Sequence, residues 1–486
     1  MSLLKATAVP YCRALERWLY EGVVDDPYDE FLIIERRELK KESLSVDYNA
    51  AYWQQRYTLR PEVPHFLAST AETVLTTGKY LNAFRECKRT ASCPWATTSP
   101  IEYDPGSRTH VERIEAAFRF ASNELLELLK KEYHLIPRLQ SLKHYFLLDQ
   151  GDFLVHFMDI AGEELAKSST EISVPRLESL LELALRVSVA SSDEHADHLT
   201  CGLERHTIIK QLLTIYSVTD DSAENAHKIS PQLRGYDAFT LDYLVQWPVS
   251  LVLSKRALTK YQLLFRHLFH CKHVERQLCQ TWQQHQGTRG VSIAGGTLAR
   301  SYCLCQRMMH FMQNFEYYMT VEVLEPNWHT MDANLQAAST IDEVMKHHEE
   351  FLDACMKESM LFWPKILRRL EKIKMLCLQF VAASHRLIAA VCPHLGHQEE
   401  GAEAGDGQSQ RLTSKKRRAL QQERLAHAER AAQDLGFSNS MRQLEEQFHN
   451  QLKDLISMLN MSTHLEPNLA SLCARLDFNN YFSSSF

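Results

Sequence analysis

A chain of 486 residues with 45% hydrophobic and 24% charged side chains has the apolar material for real cores, about two to four domains on length alone. Only 16 glycines and 15 prolines are present, which leaves few turns and disfavours a many-stranded β architecture. The net charge of −7, from 54 basic and 61 acidic residues, offers no electrostatic footprint for nucleic acid.

The opening MSLLKATAVPYCRALERWLY becomes charged and amphipathic too soon for a secretory signal. No apolar run approaches the roughly 18–20 residues of a membrane span. Twelve cysteines, scattered without a framework of spacings, read as small buried hydrophobes in a reduced, cytosolic, soluble chain.

Helical periodicity dominates the rest of the chain. In VERIEAAFRFASNELLELLKKEYHLIPRLQSL (111–142), Ile114, Ala117, Phe118, Ala121, Leu125, Leu128 and Leu129 recur at three- and four-residue steps. Next comes KHYFLLDQGDFLVHFMDI (143–160), where two apolar blocks flank Asp149-Gln150-Gly151-Asp152. Two aspartates about a glycine suit a metal loop, an acid–base pair or a joint between helices. Nothing nearby supplies a third catalytic group. The joint is therefore favoured: Gly151 as a left-handed helix stop, Asp152 as the N-cap of a second helix striped by Phe153, Phe157, Ile160 and Ala161.

Similar helical patterns cover 172–215, 255–285, 297–325, 328–338, 341–391 and 440–460. Within HLFHCKHVERQLC (267–279), His267, His270, Cys271 and His273 are candidate metal ligands. A structural zinc site needs four ligands in tetrahedral closure. The surrounding Tyr261, Leu264, Phe265, Leu268 and Phe269 instead favour packed core side chains, with no metal and no cofactor. Cys303-Leu-Cys305 is weaker still, because residues two apart on a helix point to different sides.

Thr340-Ile-Asp-Glu343 fits a capping box after a turn that closes the preceding helix at 333–339. His347-His348-Glu349-Glu350 reads as the solvated edge of an amphipathic helix. LGHQEEGAEAGDGQSQ (395–410) cannot bury enough surface to offset its ordering entropy and is expected to be a disordered insertion, near 395–415. Lys415-Lys-Arg-Arg418 looks like an import patch, but the following Gln and Glu favour a plain solvated helix. Phosphate-loop, nucleophile-elbow, HExxH and dinucleotide signatures are missing, and Gly295-Gly296 is too isolated to cradle a phosphate. The fold class is all-α, and no catalytic residue is nominated.

The run YFLLDQGDFLVHFMDIAGEEL (145–165) resembles the start of the second grip motif of gamma-tubulin complex components. The similarity continues through 238–279 and 307–355 and into the tail SLCARLDFNNYF (471–482), expected to be free of strands. Trp247-Pro248 and HLFHCKHVERQL resemble the component-two type, as do ALERWLYEGVVDDPYDEFLI (14–33) and DYNAAYWQQRYTL (47–59).

This resemblance implies an elongated array of helical bundles: 1–140 as the C-terminal part of a first grip domain that family members begin well upstream, and 141–486 as the second, gamma-tubulin-holding domain. It implies a non-enzymatic scaffold that pairs with component three and other grip-motif components. Such scaffolds carry gamma-tubulin in a ring and touch microtubule minus ends indirectly. The guanine nucleotide belongs to gamma-tubulin. The expected location is the cytoplasm and the microtubule organising centre, centrosome or spindle pole. Alternatives are a truncated regulator that binds gamma-tubulin without joining a ring, and a metal-dependent helical enzyme built on the histidine cluster. For the gamma-tubulin face the candidates are Arg256, Lys260, Arg266 and Lys272, with Asp242, Tyr243 and Trp247 shaping the core beneath it.

Overall fold

The computed structural model describes residues 2–36, 55–87, 101, 108–216, 233–287, 297–391, 436–462, 468–480 and 482. The insertion at 395–415, Lys415–Arg418, Gly295-Gly296, residues 47–54 and Tyr481 lie outside the described residues.

Among the described residues the fold is all-α with two small strand pairs. Helix α1 (Ser2–Glu21) is followed by the antiparallel pair β1 (Ile33–Glu35) and β2 (Tyr57–Leu59), then α2 (Ala71–Glu86) and α3 (Thr109–Lys131). Trp18 is the centre of this group. Its indole is fully buried, its Nε1 donates to the Val74 carbonyl at 2.6 Å, and Tyr57 packs on its ring at 5.0 Å. Gly78 on α2 leaves the room that the indole occupies, since a Cβ there would overlap it.

Beyond α3 the chain forms α4 (Leu135–Phe146), α5 (Gly151–Ile160), α6 (Gly162–Leu165) and α7 (Val174–Val187). Strand β3 (Leu199–Leu203), α8 (Ile208–Tyr216), α9 (Gly235–Ala238) and β4 (Phe239–Tyr243) come next. The long helices come last: α10 (Lys255–Gly287), α11 (Thr297–Tyr317), a π-helical stretch (Tyr318–Leu324), α12 (Glu325–Ala337), α13 (Ile341–Glu358), α14 (Pro364–Val391), α15 (Phe437–Ser462) and α16 (Asn468–Leu476). One continuous apolar core runs through both groups.

Three contacts dock the first group onto the corner between α12 and α13. Tyr80 Oη donates to Asp342 Oδ1. The Ile341 amide donates to Ser122 Oγ at 2.9 Å, and Lys130 Nζ to the Leu335 carbonyl at 3.1 Å. Burial raises the Asp342 carboxyl, while the Tyr80 hydroxyl bond opposes that shift.

The predicted capping box is present: the Glu343 amide donates to Thr340 Oγ1 at 3.3 Å, and Glu343 reaches back to the Thr340 amide. Several expected helices are interrupted. The 111–142 pattern divides at His134, whose φ is 49°, and 341–391 divides at Met360, φ 63°, before Pro364 opens α14. The 172–215 pattern stops as helix at Val187, because Leu199–Leu203 pairs with β4, register Leu199↔Tyr243. The 297–325 pattern widens into the π-helix at Tyr318.

At DQGD the joint is present, but its residues play other parts. Leu148, not Gly151, takes the left-handed conformation, φ 58°. Gly151 is the first residue of α5, and Gln150 is its cap. Asp152 lies in the first turn and accepts the Val189 amide at 2.9 Å, which holds its carboxyl below the usual range. It thus ties α5 to the end of α7.

Candidate functional site

Helix α10 carries all four basic candidates and runs through the middle of the second group. Its start is fixed by Ser254 Oγ, which accepts the Ala257 amide at 3.2 Å. Tyr261, Leu264, Phe265, Leu268 and Phe269 are buried, so it is a core helix rather than a surface ridge. Trp247-Pro248, a cis peptide, and a short 3-10 turn (Val249–Leu251) bring the chain from β4 into it.

The four cations have unequal surroundings. Arg256 is exposed, with 75% of its side chain accessible, and stands 3.6 Å from Glu349. Lys260 is buried at 4% and is held by Asp353 at 2.6 Å and Glu349 at 3.4 Å, both on α13. Arg266 is buried among polar acceptors: Nη1 donates to Gln211 Oε1 at 2.7 Å, and Nη2 to the carbonyls of His206 at 2.8 Å and Asp237 at 2.7 Å. Lys272 bridges Glu275 at 2.8 Å and Glu316 at 2.7 Å, joining α10 to α11. Burial pushes the Glu316 carboxyl up to about 7 despite Lys272.

Of the three residues expected beneath these cations, Tyr243 is buried and Trp247 half-buried. Asp242 is exposed: it sits between Leu241 and Tyr243 on a strand, so it takes the opposite face. There it accepts Gln262 Nε2 at 3.2 Å.

The histidine-rich turn of α10 is spent on packing. His267 is fully buried edge-on to Phe315, and neither ring nitrogen has a hydrogen-bond partner among the described residues. Burial, with Lys374 nearby, lowers it to about 3. His270 lies between Glu371 at 3.2 Å and Asp237 at 3.6 Å. His273 stacks on Tyr236 at 3.6 Å, and burial pushes the Cys271 thiol up to about 12. Among the described residues no group of three or more His, Cys, Asp or Glu is arranged to hold a metal ion. Cys303 is exposed and Cys305 buried.

In the His347–Glu350 run, Glu349 and Glu350 are exposed as expected, but His348 is buried and its Nε2 meets Tyr261 Oη at 3.0 Å. Glu349 is marked in the sequence only as part of a solvated edge, and Asp353, Gln211 and Glu316 carry no local signal, because each meets its cation from another helix.

These features define a predominantly helical protein whose central helix is cross-braced to its neighbours by internal charges. The family model for the gamma tubulin complex component C-terminal region matches residues 135–482, and that for the N-terminal region matches 1–132. The chain belongs to the gamma tubulin complex component family. It is 50% identical over 380 residues to gamma-tubulin complex component 2 of Arabidopsis thaliana, covering 78% of this chain and 56% of that protein. To the Mus musculus component 2 it is 40% identical over 494 residues, 99% of this chain and 54% of that protein. Spindle pole body component alp4 of Schizosaccharomyces pombe is 32% identical over 436 residues, 78% of this chain and 55% of that protein. Similarity to the Xenopus laevis component 3 homolog is 25%, so the component-two type is the better match. The chain spans about half the length of the curated relatives it matches.

Proposed function

We propose that this chain is a non-enzymatic scaffold that holds gamma-tubulin and, with component three, positions it to nucleate microtubules at a cytoplasmic organising centre. Membership of the family carries the reading, and the names of the component 2 and spindle pole body relatives support it. In this proposal residues 1–140 are the end of a first grip domain and 141–486 the second, gamma-tubulin-holding one.

The physics is positioning. A nucleus is slow to form because the first subunit contacts do not offset the lost translational and rotational freedom. A stiff holder raises the effective concentration of the first layer. The bracing of α10 by Lys260, Arg266 and Lys272 suits such stiffness. Among the four cations, the outward contact with an acidic partner surface is assigned to Arg256, which is exposed. The other three support it from beneath.

Co-purification of gamma-tubulin with the full chain tests the reading, together with sizing of the mixture with and without component three. Retention of gamma-tubulin and growth to a larger assembly with component three are expected. Failure to retain gamma-tubulin at micromolar concentration overturns the holder. Retention without growth overturns ring membership.

A further inference from the structure

A groove of about 620 Å³ opens between α8, α14 and α15. Ile209, Met375 and Leu376 give it apolar walls, while Lys372 and Arg368 line it with positive charge. Met375 is 56% exposed and so presents apolar surface at the mouth of the groove.

Among the described residues the one acid lining the groove is Glu371. Its carboxylate is already committed, at 2.6 Å to Lys374 and 3.2 Å to His270. Among the described residues neither Lys372 nor Lys365 has an ion-pair partner, whereas the neighbouring Arg369 is tied to Asp454 at 3.1 Å. Lys365 and Lys372 are both exposed and stand seven residues, hence about two turns or roughly 10 Å, apart on one face of α14. Gln379, Gln447 and Gln451 add side-chain amides around the groove.

We propose that this groove is a docking site for an acidic segment of a protein partner, which seats an apolar side chain between Ile209 and Met375 and lays carboxylates along Lys372 and Lys365. Charge complementarity selects the acidic segment, because the two unpaired ammonium groups are the unsatisfied charges beside an apolar floor. The same floor argues against a nucleic-acid strand, whose phosphates need a track of cations rather than apolar walls, and the chain's net charge of −7 opposes one as well. A helical or extended peptide in a groove is an established recognition mode.

The test is fluorescence anisotropy of the full chain with a labelled peptide of glutamates interspersed with leucines. A peptide with lysines in place of the glutamates and a single-stranded oligonucleotide serve as competitors. Saturable binding of the acidic peptide is expected, weakened at least about fivefold by Lys365→Glu with Lys372→Glu and weakened by added salt. Met375→Ser should weaken it without changing the salt dependence. All three positions are exposed, so far-ultraviolet circular dichroism should be unchanged; Lys372→Gln gives a milder variant if the charge reversal disturbs the helix. Equal affinity in the charge-reversed protein, equal binding of the lysine peptide, or displacement by the oligonucleotide at matched charge overturns the proposal.

Discussion

Acidification from pH 7 to pH 5 should destabilise this protein through four buried histidines. Burial lowers His267 and His273 to about 3 and His285 and His348 to about 4, and each is at most 8% exposed. In the unfolded chain an imidazole takes its proton near 6.5. The unfolded state therefore binds more protons as pH falls below that value, and stability is lost until the folded values are reached. Between pH 7 and 5 each histidine forfeits about 2 kcal/mol, about 8 kcal/mol for the set. Glu316 works in the opposite sense. Its folded carboxyl titrates at about 7 against an ordinary value of 4.5, so the folded state takes its proton first. That returns about 2 kcal/mol over the same window. The net loss of about 6 kcal/mol is of the order of a domain's whole stability. Urea denaturation followed by far-ultraviolet circular dichroism between pH 7 and 5 measures it. His267→Phe, placed beside Phe315, should remove about 2 kcal/mol of this loss, an average of about 1 kcal/mol per pH unit across the window. A urea midpoint indifferent to pH over this range, or a slope unchanged in His267→Phe, would refute the reasoning.

Gly78→Ala should cost about 3 kcal/mol or more, because the new methyl overlaps the Trp18 indole; the melting temperature reports it. Gly151→Ala should instead be neutral or gain up to about 1 kcal/mol, since nothing lies within 4 Å of the added carbon and the position is helical. Thr340→Ala removes one half of the capping box and should cost about 1 kcal/mol in urea denaturation. Arg266→Met strands Gln211 and two carbonyls and should cost about 3 kcal/mol, whereas Arg256→Glu should leave the melting temperature unchanged and weaken gamma-tubulin retention alone.

Legibility in the sequence tracks the range of the forces involved. Thr340 and Glu343 could be paired by inspection because a capping box closes within four residues. The spans of α10 and α15 were nearly right for the same reason: their apolar spacing is local. The joint at DQGD was visible, yet its roles were not. Asp152 is recruited by an amide 37 residues away, and Leu148 absorbs the turn that glycine was expected to make. Strand β3 was hidden inside a helical pattern because its partner, β4, starts some distance along the chain. His348 was misplaced at the edge of α13 for a geometric reason. Neighbours on a helix differ by about 100° in direction, so His347 stays half-exposed while His348 turns inward to Tyr261.

The basic residues of α10 show what this long-range logic does for the fold. Lys260 reaches acids 89 and 93 residues away, Lys272 one 44 away, and Arg266 acceptors up to 60 away. Such buried charge contacts contribute little net stability, because desolvation offsets most of the attraction. They do penalise every alternative register of α10, since a shift by one residue leaves a cation in the core without its partner. Apolar packing alone would tolerate small slides between these helices. The charges therefore fix where α10 lies relative to α11 and α13 and to the segment around α8 and α9, and the holding role proposed above would depend on that placement.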